Sequence, residues 1–115
     1  TVCELTGVSV PPSVRGLSLV PVLRGRKTEV RDAIFGYFTD TQRMMRSADG
    51  WKLIWYPKIE KIQLFNVARD PDELRDLAAD AGHADRLERM KDRLGEWQRE
   101  HNDPVPPPRR AVRAP

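Results

Sequence analysis

Two histidines and one cysteine are the side chains of this sequence with the widest range of chemistry, but their spacing does not join them. Imidazole binds metals and transfers protons near neutral pH, yet neither His83 nor His101 stands in a ligand pattern typical of zinc sites. Cys3 has no base near it in the sequence, so we expect a small packing residue rather than a nucleophile. The sequence therefore assigns no catalytic, cofactor-binding or metal-binding residue.

Two arginines and two methionines share the short segment 43–46. In an extended strand Arg43 and Arg46 point to opposite faces, and one of them could contact an anion. A solvated surface position is the more common role, and we predict it for both arginines. Met44 and Met45, like the three tryptophans, could line a ligand cage, but these residue types in strands and helices are most often core.

The net charge is small and lies at one end of the chain. The formal charge of the 115 residues is +3, and residues 104–115 hold three arginines and no acid, so the rest carries 17 basic and 17 acidic side chains. Three charges without interleaved aromatic residues bind nucleic acid or anionic lipid only weakly. Because no run of about 18 apolar residues is present either, we expect neither nucleic acid nor a membrane as a partner.

Residues 50–56 form the centre of the predicted fold. The segment Gly-Trp-Lys-Leu-Ile-Trp-Tyr is rich in aromatic and β-branched residues and predicts a strand with bulky side chains on both faces. Further strands are predicted over 30–38, 42–47 and 62–67, and Asp49-Gly50 is a strong hairpin signal. Four successive strands with short connections favour an antiparallel meander. A strand that is apolar on both faces needs two covering layers.

Helices are predicted before and after these strands in the chain. Residues 1–7 are typical of the last turns of a helix that ends at Gly7, and Ser18 is expected to cap a short helix that ends before Gly25. Asp70-Pro71 with Glu73 predicts a capped helix to about residue 80. A last helix is predicted over 83–102. The fold class is therefore α+β, with a four-stranded antiparallel sheet packed with C-terminal helices.

The last predicted helix carries a narrow apolar stripe, formed by Leu87, Met90, Leu94 and Trp97 at spacings of three and four. This stripe could pack on the chain's own sheet. It could instead bind a partner helix, which would make the chain a separate α+β interaction module. Residues 104–115 are rich in proline and arginine and poor in apolar residues, so a disordered tail is predicted.

Seven short segments of this sequence can be compared with a known family: residues 1–8 and 12–25, then Arg43-Met-Met-Arg46, Trp51-Lys-Leu-Ile54, Gln63-Leu-Phe-Asn-Val67, Asp70-Pro-Asp-Glu73 and Leu77-Ala78. In this order they resemble the sulfatase family. The first two are similar to the family's "PTLLELAGI…P…GxSLxPLLxG" stretch, and the other five are similar to its C-terminal "RxxR…KLI…ELYDLxxDPxExxNLA" pattern. Five short similarities in the correct order are more specific than any one of them.

The resemblance implies a sulfuric ester hydrolase of the alkaline-phosphatase-like superfamily. In that family the nucleophile is a formylglycine made from the cysteine of a C-x-P-S-R motif, or its alanine or serine variant, beside a divalent metal, usually calcium. Cys3 lies in Cys-Glu-Leu-Thr-Gly, which does not match, and the family's metal ligands and catalytic lysine and histidine lie upstream of the matching part. No catalytic residue is therefore assigned to this chain by resemblance.

The resemblance also implies a domain organisation. Residues 1–28 would be the end of the catalytic α/β domain, residues 29–103 the sulfatase C-terminal α+β subdomain, and residues 104–115 the disordered tail. The expected partner is the missing N-terminal catalytic domain, and exposed apolar surface could also pair copies of the chain. The fragment alone is expected to be inactive, with calcium and formylglycine belonging to the parent protein.

Overall fold

The structure, a computed structural model, describes residues 1–109. The chain divides into two compact units, Thr1–Asp32 and a second unit that begins at Ala33. The first contains two short helices, α1 (Val2–Thr6) and α2 (Val20–Leu23). As predicted, α1 ends at Gly7, whose φ of 72° is the left-handed conformation that glycine adopts at low cost. The Ser18 hydroxyl accepts the Val20 N–H before α2, at 3.2 Å.

The second unit is an antiparallel meander with one long helix. Its strands are β1 (Ala33–Phe38), β2 (Gln42–Ser47), β3 (Trp51–Tyr56) and β4 (Lys61–Asn66), in the order β1-β2-β3-β4. Short 3₁₀ turns lie at Pro57–Ile59 and Ala81–His83, and helix α3 covers Ala84–Glu100. The predicted fold class is confirmed, although β1 begins three residues later than predicted.

The core lies between one face of the sheet and α3. The strand register places Met45 beside Leu53 and Leu53 beside Leu64, and these three side chains are almost completely buried. Met90 and Leu94 of α3 belong to the same buried cluster. Alternation along β3 explains the arrangement, because every second side chain of a strand points to the same face.

The β2–β3 turn depends on Gly50. This residue has φ of +83°, and an added Cβ would lie 2.6 Å from the Cβ of Ala68. We expect Gly50→Ala to lower the free energy of unfolding by about 2 kcal/mol, through the left-handed backbone and the overlap together. Chemical denaturation of Gly50→Ala and of Gly50→Ala with Ala68→Gly measures this. The double variant should recover the part due to overlap, and equal losses in the two would contradict a close approach.

The predicted helix over residues 70–80 is wrong. The Asp70 carboxylate accepts the N–H groups of Leu74 and Arg75, and Leu77 donates its N–H to the carbonyl of Leu64 at 2.8 Å. Asp76 accepts the Leu64 N–H at 3.0 Å. The segment thus forms local turns and pairs with the edge of β4 instead of forming a helix, because these hydrogen bonds outweigh the local helix signals.

Glu73 shows why the expected capping box does not form. Its backbone has φ of 54°, which is incompatible with a helix at that position. Its carboxylate pairs with the Lys52 ammonium, with both oxygens 2.8 Å from Nζ. The acid that the sequence placed at the third helical position is therefore bound to β3.

Candidate functional site

A buried ion pair joins β2 to the chain beyond α3. The Arg43 guanidinium donates to Asp103 twice, from Nε to Oδ2 at 2.5 Å and from Nη2 to Oδ1 at 2.7 Å. Its Nη1 donates to the carbonyls of Thr39 and Gln42, at 2.7 and 2.8 Å. The side chains of Arg43 and Asp103 are only 5% and 8% exposed. Such a bidentate arginine–carboxylate pair fixes both the position and the orientation of the two side chains.

The pair is electrostatically well compensated. The hydrogen bonds from Arg43, helped by the Val105 N–H, hold the pKa of Asp103 at about 2 against the opposing effect of burial. The same hydrogen bonds to Asp103 raise the pKa of Arg43. Both groups are therefore charged across the physiological pH range, and together they carry no net charge.

Asp103 also begins the C-terminal strap, which we define as residues 103–109. Gln98 on α3 donates from Nε2 to the Val105 carbonyl at 2.8 Å, and Trp55 on β3 donates from Nε1 to the Pro106 carbonyl at 3.1 Å. Val105 is 8% exposed. The sequence predicts disorder from residue 104, but the strap packs against β3 and α3. It does so because the Trp55 and Gln98 side chains donate hydrogen bonds to its carbonyls. Residues 110–115 of the predicted tail lie outside the described residues.

Aromatic rings border this ion pair. Trp97 stacks on Phe35 with ring centroids 5.1 Å apart, and His101 stacks on the other side of Trp97 at 4.7 Å. The Arg43 guanidinium lies over the Tyr37 ring, 5.6 Å from its centroid. All of these groups except Phe35 line a cavity of about 430 Å³, which we call the Tyr37 pocket. Its lining residues are Tyr37, Thr39, Arg43, Trp97, His101, Asn102, Asp103 and Pro104.

A second, more open cavity of about 670 Å³ lies between the sheet, α3 and the strap. Its charged lining comprises Glu60, Asp76, Lys91 and Arg109, so it has no excess of either sign. Lys91 donates to Glu88 at 2.6 Å. The apolar lining is formed by Trp55, Ile62, Ala78, Ala79 and Leu87.

The two histidines lie in different places, as predicted. His83 packs against Trp51 with ring centroids 5.0 Å apart, whereas His101 donates a hydrogen bond from Nδ1 to the Trp97 carbonyl at 2.9 Å. Cys3 is a half-buried free thiol in the first unit. Among residues 1–109 no group of three or more His, Cys, Asp or Glu side chains could hold a metal ion. The described residues therefore do not fit the calcium site that the resemblance implies for the parent.

The burial of Arg43 and that of the apolar stripe of α3 each correct a prediction made from the sequence. Arg43 is 4% exposed, so its predicted surface position is wrong, whereas Arg46 is exposed on the opposite face as predicted. Arg43 is buried because Asp103 supplies its counter-charge and two carbonyls accept the N–H groups of Nη1. The apolar stripe of α3 lies on the chain's own sheet: Met90 and Leu94 are core residues, and Leu87 and Trp97 pack against them. The alternative of a partner-binding stripe is therefore wrong.

Asp103 is the residue that sequence reasoning missed. An Asp-Pro step directly after a long helix is a turn signal, but nothing local identifies its partner.

The helices of residues 1–109 include none with the length and apolar character that crossing a bilayer requires.

Comparison with known proteins identifies the family. A family model described as N-sulphoglucosamine sulphohydrolase, C-terminal, matches residues 1–100. The chain belongs to the sulfatase family. It corresponds to the C-terminal portion, as the sequence resemblance predicted.

Among curated sulfatases, the Delta 4,5-hexuronate-2-O-sulfatase of Bacteroides thetaiotaomicron is 32% identical over 88 residues, which are 70% of this chain and 18% of that protein. An arylsulfatase of Clostridium perfringens is 27% identical over 94 residues, or 79% of this chain and 19% of that protein. This chain thus spans about a fifth of the length of these curated sulfatases.

Solved sulfatase structures share the fold. A 2-O GAG sulfatase superposes with a TM-score of 0.76 and 26% identity, over 90% of this chain and 24% of that chain. A protein solved in complex with its substrate D-glucosamine-2-N,6-O-disulfate gives a TM-score of 0.73 and 25% identity, over 90% of this chain and 23% of that chain. The antiparallel sheet with its C-terminal helix is therefore the architecture of a sulfatase C-terminal subdomain.

Proposed function

We propose that this chain is the supporting C-terminal subdomain of a sulfuric ester hydrolase and that it has no active site of its own. The observation that carries the proposal is the match to the C-terminal sulfatase model together with coverage of only 18–19% of curated sulfatases. The role that remains for such a portion is to complete and stabilise the catalytic domain.

The distribution of exposed apolar side chains supports a covering partner. In the first unit, eight large apolar residues are between 49% and 73% exposed. Exposure of this much apolar surface to water is unfavourable in free energy for a small unit, and such a surface marks an interaction site. We propose the catalytic domain of the parent sulfatase as the partner that covers it. The residues are Val2, Leu5, Val8, Val10, Val14, Leu17, Leu19 and Leu23.

Exposed apolar side chains on the sheet face away from α3 also support the proposal that the catalytic domain is the partner. Ile34 and Phe38 point away from the α3 side and are 51% and 65% exposed. Met44 and Ile54 lie on that face beside them and are half-buried. The same face also carries Gln42, Arg46 and Lys52, so it is mixed, and the catalytic domain would cover its apolar part.

The substrates proposed for the parent are sulfated sugars. The relatives described above are named for a hexuronate 2-O-sulfate, for GAG and for a glucosamine disulfate. By the family resemblance, calcium and formylglycine would belong to the catalytic domain, where the parent would hydrolyse the sulfate ester. None of these steps is assigned to residues of this chain.

The purified 115-residue chain tests the absence of an active site. With calcium present, we expect no release of sulfate from 4-nitrophenyl sulfate or from a sulfated glucosamine, since no described residues form a metal site or a recognisable nucleophile. An arylsulfatase assayed in parallel is the positive control. Turnover that survives repurification would contradict the proposal, and its loss in Cys3→Ala would identify the nucleophile.

A further inference from the structure

We propose that the Tyr37 pocket binds one sugar ring of the parent's saccharide substrate, at a position that takes the uncharged part of the ring rather than its sulfate. This inference rests on the proposed function, because it requires the parent to act on sulfated sugars. The pocket's volume of about 430 Å³ lies within the usual range for small-molecule sites.

The aromatic lining favours a sugar ring. Trp97 is stacked between Phe35 and His101, so both faces of its ring are covered, and His101 forms the outer ring of this stack. Tyr37 is 73% exposed, and its ring is oriented by the Arg43 guanidinium. A pyranose ring carries slightly positive C–H groups on its faces, which suit the negative faces of aromatic rings. Its hydroxyl groups lie around the edge and require polar partners.

The rim supplies such partners. The Tyr37 hydroxyl and the Asn102 side chain line or border the cavity and make no hydrogen bond within the described part of the chain. Thr39 and Asn102 also have positive φ angles, 47° and 51°. These are ordinary conformations for a hairpin turn and for the residue after a helix, and they fix where the two side chains enter the rim.

The charge of the pocket explains why the uncharged part of the sugar is preferred. Arg43 is the buried cation of the lining, but Asp103 neutralises it through two hydrogen bonds. A sulfate group would have to displace Asp103 from a pair that is 5% and 8% exposed. Breaking a buried ion pair is unfavourable. The arginine therefore orders the pocket without offering a free anion site.

Nuclear magnetic resonance titration of the full chain tests the inference. N-acetyl-D-glucosamine at millimolar concentrations should shift amide signals of residues 37–43 and 97–103 and the Trp97 indole signal. Sodium sulfate, added at the same molar concentration in a buffer of constant ionic strength, should leave these signals unchanged. Tyr37→Ala and Asn102→Gly should each weaken binding by about fivefold, the effect of losing one contact. Glycine accepts the backbone conformation of Asn102, so the second variant removes only the side chain.

Glu60→Gly is the matched control, since Glu60 has φ of 48° and does not line the Tyr37 pocket. It should bind the sugar like the natural chain. Absence of sugar-induced shifts at the pocket, equal shifts with sulfate alone, or equal weakening in Glu60→Gly would each overturn the inference. The titration involves no catalysis, so its failure leaves the proposed function standing, whereas turnover by the isolated chain would remove that function without affecting the binding result.

Discussion

Replacement of Asp103 by alanine is expected to lower the free energy of unfolding by about 3–5 kcal/mol, the usual effect of removing one member of a buried ion pair. The change leaves the Arg43 side chain, which is 5% exposed, without its counter-charge. It also removes the acceptor for the Val105 N–H, which lies 3.0 Å from Oδ1. The strap and the β1–β2 turn should loosen together, because Arg43 binds both.

Urea denaturation followed by tryptophan fluorescence measures this effect, since all three tryptophans lie in the second unit. Asp40→Asn is the matched control, because Asp40 pairs with Lys58 on the surface, where the two side chains are 63% and 59% exposed. We expect that variant to be nearly as stable as the natural chain. A similarly small loss in Asp103→Ala would contradict a structural role for the buried pair.

The same pair predicts an acid-sensitive stability. The pKa of Asp103 is about 2 in the folded chain, below its ordinary value of 3.8. Because the folded pKa is the lower one, the contribution is fully present above about pH 4 and is lost as the pH falls towards 2; it amounts to about 2 kcal/mol. Asp103→Asn should remove this part of the pH dependence. An unchanged acid unfolding curve in that variant would contradict the assignment.

Replacement of Leu53 by alanine is expected to lower the free energy of unfolding by about 2–5 kcal/mol, the range for truncating a large buried aliphatic side chain. Leu53 has no exposed surface and lies between Met45 and Leu64 at the centre of the sheet. Neighbouring strands restrain any collapse into the space left behind, so the loss should lie in the upper half of that range.

Leu74→Ala is the matched control for Leu53→Ala, because Leu74 is 84% exposed. Its expected change is within about 0.5 kcal/mol. Both variants are measured by the same denaturation experiment. Equal stabilities of the two variants would show that the α3 face of the sheet is not the core.

The sheet could be predicted because its signals are local. Alternation in residues 51–56 and the Asp49-Gly50 turn each define structure within a few residues, and the strands β2 and β3 begin and end as predicted. The helix over 70–80 also had local signals, yet it does not form. There the Leu64 backbone supplies partners for Asp76 and Leu77 that no local pattern reveals.

The candidate site could be predicted only in part. The apolar stripe of α3 follows from helical periodicity, and its burial on the sheet agrees with the simpler of the two alternatives. Arg43 and Asp103 are 60 residues apart, so their pairing depends on the complete fold. The surface prediction for Arg43 failed because a single distant carboxylate and two turn carbonyls accept four of its five N–H groups.

The most direct test of the account is the rate of sulfate release by the parent's catalytic domain, produced with and without this chain. We predict release from a sulfated sugar only when the two parts are produced together, with the exposed apolar residues of 1–32 covered by the partner. Full activity of the catalytic domain in the absence of this chain would contradict the supporting role.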